Sequence, residues 1–107
     1  MSAFVHWFHI LIVGSLFLYV GIQREKIVQW MFPVLIGVGL VIAGYHTYKL
    51  WIKQGINGWV NWIHILLIAP LLVFIGYYRE KAPRSAYEML LLAGFAAIGY
   101  HGYYAIA

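Results

Sequence analysis

Long apolar stretches alternate with short polar breaks along the chain, and the stretches run over about Phe4–Ile22, Val28–Leu50, Trp59–Tyr78 and Ser85–Ile106. Each is close to the ~20 residues that a helix rising ~1.5 Å per residue needs to cross a hydrocarbon core. The pattern predicts four transmembrane helices and little else. The first break, Gln23–Gln29, carries Arg24, Glu25 and Lys26, and the third, Arg79–Arg84, carries Arg79, Glu80, Lys81 and Pro83. The middle break, Lys53-Gln54-Gly55-Ile56-Asn57-Gly58, is a turn-rich linker. After Pro83, Ser85-Ala86-Tyr87-Glu88 has the S-x-x-E form of a capping box at the start of the fourth helix.

The pattern is also written twice. Shifted by 55 positions, residues 5–52 lie over residues 60–107 without a gap, with 16 of 48 pairs identical. Apolar filler alone would not match His9 with His64, Arg24-Glu25-Lys26 with Arg79-Glu80-Lys81, or Gly44-Tyr45-His46 with Gly99-Tyr100-His101. Duplication of one helical hairpin accounts for the match. The expected fold is an all-α integral membrane protein. It forms a single domain over 1–107, a four-transmembrane-helix bundle of two parallel tandem hairpin repeats, 5–52 and 60–107. Because each repeat holds two helices, both enter the bilayer in the same orientation, related by an axis along the membrane normal.

Positions common to both copies point to the packed faces, since lipid accepts any apolar residue and a helix interface constrains size. Leu35, Gly39 and His46 form one stripe at spacings of four and seven, repeated by Leu90, Gly94 and His101. Val5, His9 and Leu16 form another, repeated by Val60, His64 and Leu71. Gly39 and Gly94 would let either a helix or a flat ligand approach the backbone.

Composition agrees with the spans. Hydrophobic residues are 64% of the chain and charged ones 9%, against roughly 45–50% and about 25% in soluble domains. A globule of 107 residues cannot hide that much apolar surface from water, so the bilayer is the expected partner. Five basic residues, Arg24, Lys26, Arg79, Lys81 and Arg84, face two, Lys49 and Lys53, across the predicted spans. The positive-inside rule then places the Arg-Glu-Lys turns in the cytoplasm and both termini outside. The first segment has neither a basic leader nor a small-residue cleavage site and reads as a retained helix. A net charge of +4 is explained by topology and headgroup contact and does not call for nucleic acid. Cysteine is absent, which removes disulfides and thiolate metal sites. Phosphate-binding loops, nucleophile elbows and H-E-x-x-H helices are missing too, so no hydrolase or transferase motif is present and enzymatic activity is left open.

The chemistry rests on histidine. His9, His46, His64 and His101 fall at one depth, roughly 20–25 Å from the cytoplasmic turns at the standard rise, one per helix. Such a layer suits an internal metal or cofactor site. Four neutral imidazoles suit Zn or Cu, and the pair His46 and His101 suits the two axial positions of a haem. Gly39 and Gly94 would then make room for the ring, with Tyr45 and Tyr100 beside the ligands, and Tyr48 and Tyr103 nearby. The same four histidines equally suit a pH-sensitive ring in a proton or small-cation channel or transporter. A third expectation is a non-catalytic interaction module that packs on a larger membrane partner or forms a homo-oligomer. In it the histidines simply belong to the aromatic belt of Trp7, Trp51, Trp59, Trp62 and the neighbouring tyrosines. His6, replaced by Asn61 in the second copy, is placed outside the site.

By size and helix count the chain looks like small multidrug-resistance transporters. That family exchanges protons for drug through a glutamate in its first helix, and Phe4–Ile22 contains no acid, so the function does not carry over.

Overall fold

The computed structural model describes residues 2–52 and 58–107, which are helical apart from short turns. Four helices are long and apolar enough to cross a membrane: α1 (Ala3–Lys26), α2 (Met31–Ile52), α3 (Gly58–Lys81) and α4 (Arg84–Ile106). The linker at Lys53–Asn57 lies outside the described residues.

Helix ends follow local chemistry. Helix α1 starts beneath Ser2, whose hydroxyl oxygen accepts from the Val5 N–H at 3.3 Å, a standard N-cap. Helix α4 starts two residues earlier than the capping-box reading, which makes Ser85 the cap. Pro83 is its cap, its carbonyl accepts the Ala86 N–H at 3.0 Å, and Ser85 already lies in the first turn. A proline needs no partner for a missing N–H and still supplies a carbonyl, so it closes the helix boundary ahead of the serine. Glu88 turns instead to Arg84, 3.7 Å away.

The α-helical parts of α1 and α3 end without glycine. Arg24 and Arg79 take φ of 56° and 55°, a region that costs a side-chain-bearing residue about 1–3 kcal/mol. A tight 3-10 turn then carries Arg24–Lys26 and Arg79–Lys81.

Two compact units result. One contains Met1–Lys26 and Pro83–Ala107, the other Ile27–Ala82, so neither coincides with the sequence copies 5–52 and 60–107. In the first unit α1 packs antiparallel on α4, and in the second α2 packs antiparallel on α3. Both use glycine where the helices meet. A Cβ on Gly21 would sit 2.7 Å from Leu91 Cβ, and one on Gly76 would sit 2.6 Å from both Ile36 Cγ1 and the Phe32 carbonyl oxygen. Gly94 faces Phe17 and Leu18, while Gly39 faces Ala69, Leu72 and Val73. Gly21 with Leu91 matches Gly76 with Ile36, and Gly94 with Phe17 and Leu18 matches Gly39 with Leu72 and Val73, each 55 positions away. The deepest side chains behave alike: Val20, Tyr87 and Leu90 in the first unit, Ile75, Phe32 and Leu35 in the second. Many large apolar side chains outside these seams are exposed, among them Leu40, Val41, Leu66, Leu92 and Phe95, which suits lipid as the surrounding solvent.

The stripe Leu35, Gly39, His46 and its match Leu90, Gly94, His101 are buried as the spacing predicts. The stripe on α1 and α3 is out of phase beyond the histidine. Both helices widen into one π turn, His9–Val13 and His64–Ile68, which inserts a residue relative to the 3.6-residue repeat. The buried face therefore continues eight positions after the histidine instead of seven. Phe17 is 2% exposed where Leu16 is only half-buried, and Leu72 at 0% lies deeper than Leu71 at 8%. Pro70 follows the second π turn but Ser15 occupies its place in the first, so proline is not the shared cause.

One packing difference between the units makes a test. A Cβ on Gly14 would lie 2.6 Å from Ile98 Cγ1, whereas the matching residues 69 and 43 are both alanine. Gly14→Ala is expected to destabilise by about 1–3 kcal/mol through overpacking, and Ile98→Ala in the same chain should recover much of the loss. Unfolding in mixed detergent micelles measures both. A double variant no better than Gly14→Ala would refute the size-swap account.

Candidate functional site: stacked histidine pairs

The π turns begin at histidines, and the side chain there reaches back one turn. His9 Nδ1 donates to the Val5 carbonyl oxygen at 2.7 Å, and His64 Nδ1 donates to the Val60 carbonyl oxygen at 2.7 Å. A carbonyl only accepts, so each ring carries its proton on Nδ1 and, when neutral, its lone pair on Nε2. Such back-bonding fixes ring orientation as well as tautomer.

Each of these rings stacks on a histidine of the helix packed against it. His9 lies on His101 with centroids 4.1 Å apart and planes inclined by 19°, and His46 lies on His64 at 4.0 Å and 17°. His46 and His101 are buried; His9 and His64 are half-buried. Helix α1 contributes His9 and α4 contributes His101 in the first unit, and α3 and α2 supply His64 and His46 in the second. Both pairs stand at the end of their unit away from the Arg-Glu-Lys turns.

A third polar side chain holds each buried imidazole. His46 Nδ1 donates to the Asn61 amide oxygen at 2.8 Å. In the first unit the position of Asn61 is taken by His6, and His6 Nδ1 stands 3.0 Å from His101 Nδ1. His6 and Asn61 are both buried. His6, which its sequence position places near the surface and outside the site, thus belongs to the cluster. The available signal was its spacing, since His6 and His9 are three residues apart, as are Asn61 and His64, and that spacing puts both side chains on one helix face. All buried side-chain nitrogen and oxygen atoms among the described residues have a hydrogen-bond partner, which matters where no water can substitute.

The remaining residues named from sequence are placed as follows. The space beside Gly39 and Gly94, open in principle to a helix or a flat ligand, is filled by the neighbouring helix; a Cβ on Gly39 would meet the Ala69 carbonyl oxygen at 2.9 Å. Tyr45 and Tyr100 stand edge-on to the histidines that follow them, at 5.3 and 5.0 Å between centroids, and Lys49 Nζ lies 5.4 Å above the Tyr45 ring. Tyr48 and Tyr103 are exposed. Of the four expected ligands, His9 meets His101 and His64 meets His46, while His46 and His101 belong to different units.

The donor set bears on metal chemistry. Nδ1 bonded to a carbonyl is the usual support for an imidazole that ligates through Nε2. A lone pair lies in its ring plane, however, and with ring centroids 4.0–4.1 Å apart and planes inclined by 17–19° the two rings of a stacked pair, as arranged here, do not aim their lone pairs at one point within the ~2.0–2.1 Å reach of a Zn–N bond. Among the described residues no three His, Asp or Glu side chains are grouped to hold a metal. His6 and His101 are joined imidazole to imidazole through their Nδ1 atoms, whereas His46 is bonded to an amide oxygen.

The chain matches no protein-family model, no curated protein and no solved structure.

Proposed function

We propose that this is a proton-handling integral membrane protein whose histidines form the proton-carrying groups of a path through, or partly through, the bilayer. The observation that carries the reading is the direct imidazole-to-imidazole contact, His6 Nδ1 to His101 Nδ1 at 3.0 Å, with His101 stacked on His9. Ionisable groups within membrane spans are costly and mark ion paths and proton relays, and imidazole is the side chain whose ordinary range lets it take and release protons near neutral pH. In this reading the chain is two parallel copies of one hairpin, a proposal supported by the ungapped 55-residue offset. The Arg-Glu-Lys turns face the cytoplasm and the histidines lie toward the outer leaflet, supported by the distribution of basic residues.

Purified protein in phosphatidylcholine vesicles loaded with a pH-sensitive dye is expected to accelerate dissipation of a proton gradient over protein-free vesicles, more steeply as the outer pH falls through the imidazole range. A gradient that decays at the protein-free rate overturns the reading. Elemental analysis and an ultraviolet-visible spectrum of the same sample provide the second arm: stoichiometric zinc or copper, or a haem band, would assign these imidazoles to a metal centre instead.

A further inference from the structure

The two units carry the same fold of helices and the same stacked imidazoles, yet differ at one buried polar position, His6 in the first and Asn61 in the second. That difference changes what the neighbouring histidine can do. Asn61 offers its amide oxygen to His46 Nδ1, and an amide oxygen accepts a hydrogen bond without taking up the proton at ordinary pH. His46 is thereby held in one tautomer. His6 offers His101 a nitrogen of its own kind, so either ring can be the donor: His101 donates and His6 accepts, or the reverse.

Resting on the proton-handling reading above, we infer that the two units are functionally unequal: His6 makes the first unit the relay, and Asn61 makes the second a fixed structural counterpart. The step balances without any further reagent. A proton from hydronium binds His101 Nε2, the Nδ1–H bond of the resulting imidazolium breaks as an Nδ1–H bond forms on His6, and His6 releases its Nε2 proton to water. The net result is one proton moved between the two sides of the pair with both tautomers exchanged, so both rings must swing out of the contact and return in their original tautomers before the next transfer. The groups facing this pair are His9, stacked on His101, Tyr104, stacked on His6 with centroids 6.2 Å apart, and Tyr100, edge-on to His101. The unit's charged side chains, Arg24, Glu25, Lys26, Arg84 and Glu88, all stand at its other end.

Sequence provides the conservative exchange that tests this. His6→Asn should give the first unit the arrangement the second already uses, with the introduced amide oxygen accepting from His101 as that of Asn61 does from His46, so folding should survive. Flux in dye-loaded phosphatidylcholine vesicles is expected to fall to the protein-free rate in His6→Asn and to return when Asn61→His is added, because the relay has then been moved to the other unit. Independently of flux, nitrogen-15 spectra of labelled imidazoles should show a proton shared between two ring nitrogens at His6 and His101 and a single Nδ1–H tautomer at His46. His6→Asn with wild-type flux, a double exchange that stays at the protein-free rate, or a single fixed tautomer at His101 would each overturn the inference while leaving the proton-handling reading intact. Absence of flux in the wild-type protein would remove that reading itself.

Discussion

Gly76→Ala is expected to be among the most damaging single-methyl changes in the chain. The added Cβ would lie 2.6 Å from the Phe32 carbonyl oxygen, 2.6 Å from Ile36 Cγ1 and 3.0 Å from the Ile36 backbone nitrogen. A side-chain tip can rotate away, but two of these three atoms are backbone, so helices α2 and α3 must separate along the seam that buries Phe32, Leu35, Leu72 and Ile75. Overpacking of this kind costs about 1–3 kcal/mol, and the upper end is expected because the neighbours cannot give locally. In lipid there is no hydrophobic drive to push the helices back together, and close backbone approach at small residues supplies much of the attraction. Gly37→Ala is the control: it makes the same chemical change in the same unit, and its Cβ meets nothing within 4 Å. Unfolding in mixed detergent micelles should separate the two clearly. Equal stabilities would show that the α2–α3 seam is not packed as described.

The second large effect concerns the buried bond between His46 and Asn61. His46→Leu should leave the Asn61 amide oxygen without this donor, and Asn61→Leu should leave His46 Nδ1 without this acceptor. Each is expected to cost about 1–3 kcal/mol, the penalty of a buried polar group that loses its partner. Replacing both by leucine removes the need for the bond, so the double variant should be less destabilised than the sum of the singles. A coupling of roughly 1 kcal/mol or more is expected for residues in direct contact. Strict additivity would mean that the 2.8 Å contact contributes nothing. Because Asn61 matches His6, the same cycle on His6 and His101 compares the two units directly.

What was legible in the sequence follows from which forces act along the chain and which act across it. The four spans could be read because bilayer thickness sets a length that any apolar run must meet, independently of its neighbours. The stripes through Leu35, Gly39 and His46 and through Leu90, Gly94 and His101 could be read because α2 and α4 are unbroken α-helices with a regular period. The positions 55 residues apart carry their matching chemistry in plain view, His9 with His64 and His46 with His101. The histidines as the chemically distinctive groups were legible on the same ground.

Only the tertiary structure decided the rest. A π turn changes helical phase by one residue without a residue type that announces it, so Phe17 and Leu72 displaced Leu16 and Leu71 as the deepest members of their faces. Arg24 and Arg79 adopt a glycine-like φ that no arginine signals. The choice of α4 as partner for α1 and of α3 for α2 depends on methyl-scale fit at Gly21, Gly94, Gly39 and Gly76, whereas hydropathy is the same for every apolar face. His6 entered the cluster for the same reason: as a lone histidine near the start of a helix it is indistinguishable from a headgroup contact until α4 brings His101 within 3.0 Å of it. Sequence by itself determined that four stretches are long and apolar enough to cross a membrane and where the imidazoles lie along each helix, because hydrophobic length and local period are properties of a single stretch of chain. Which imidazole meets which, and through which nitrogen, was settled by packing, because those contacts join residues up to 95 positions apart.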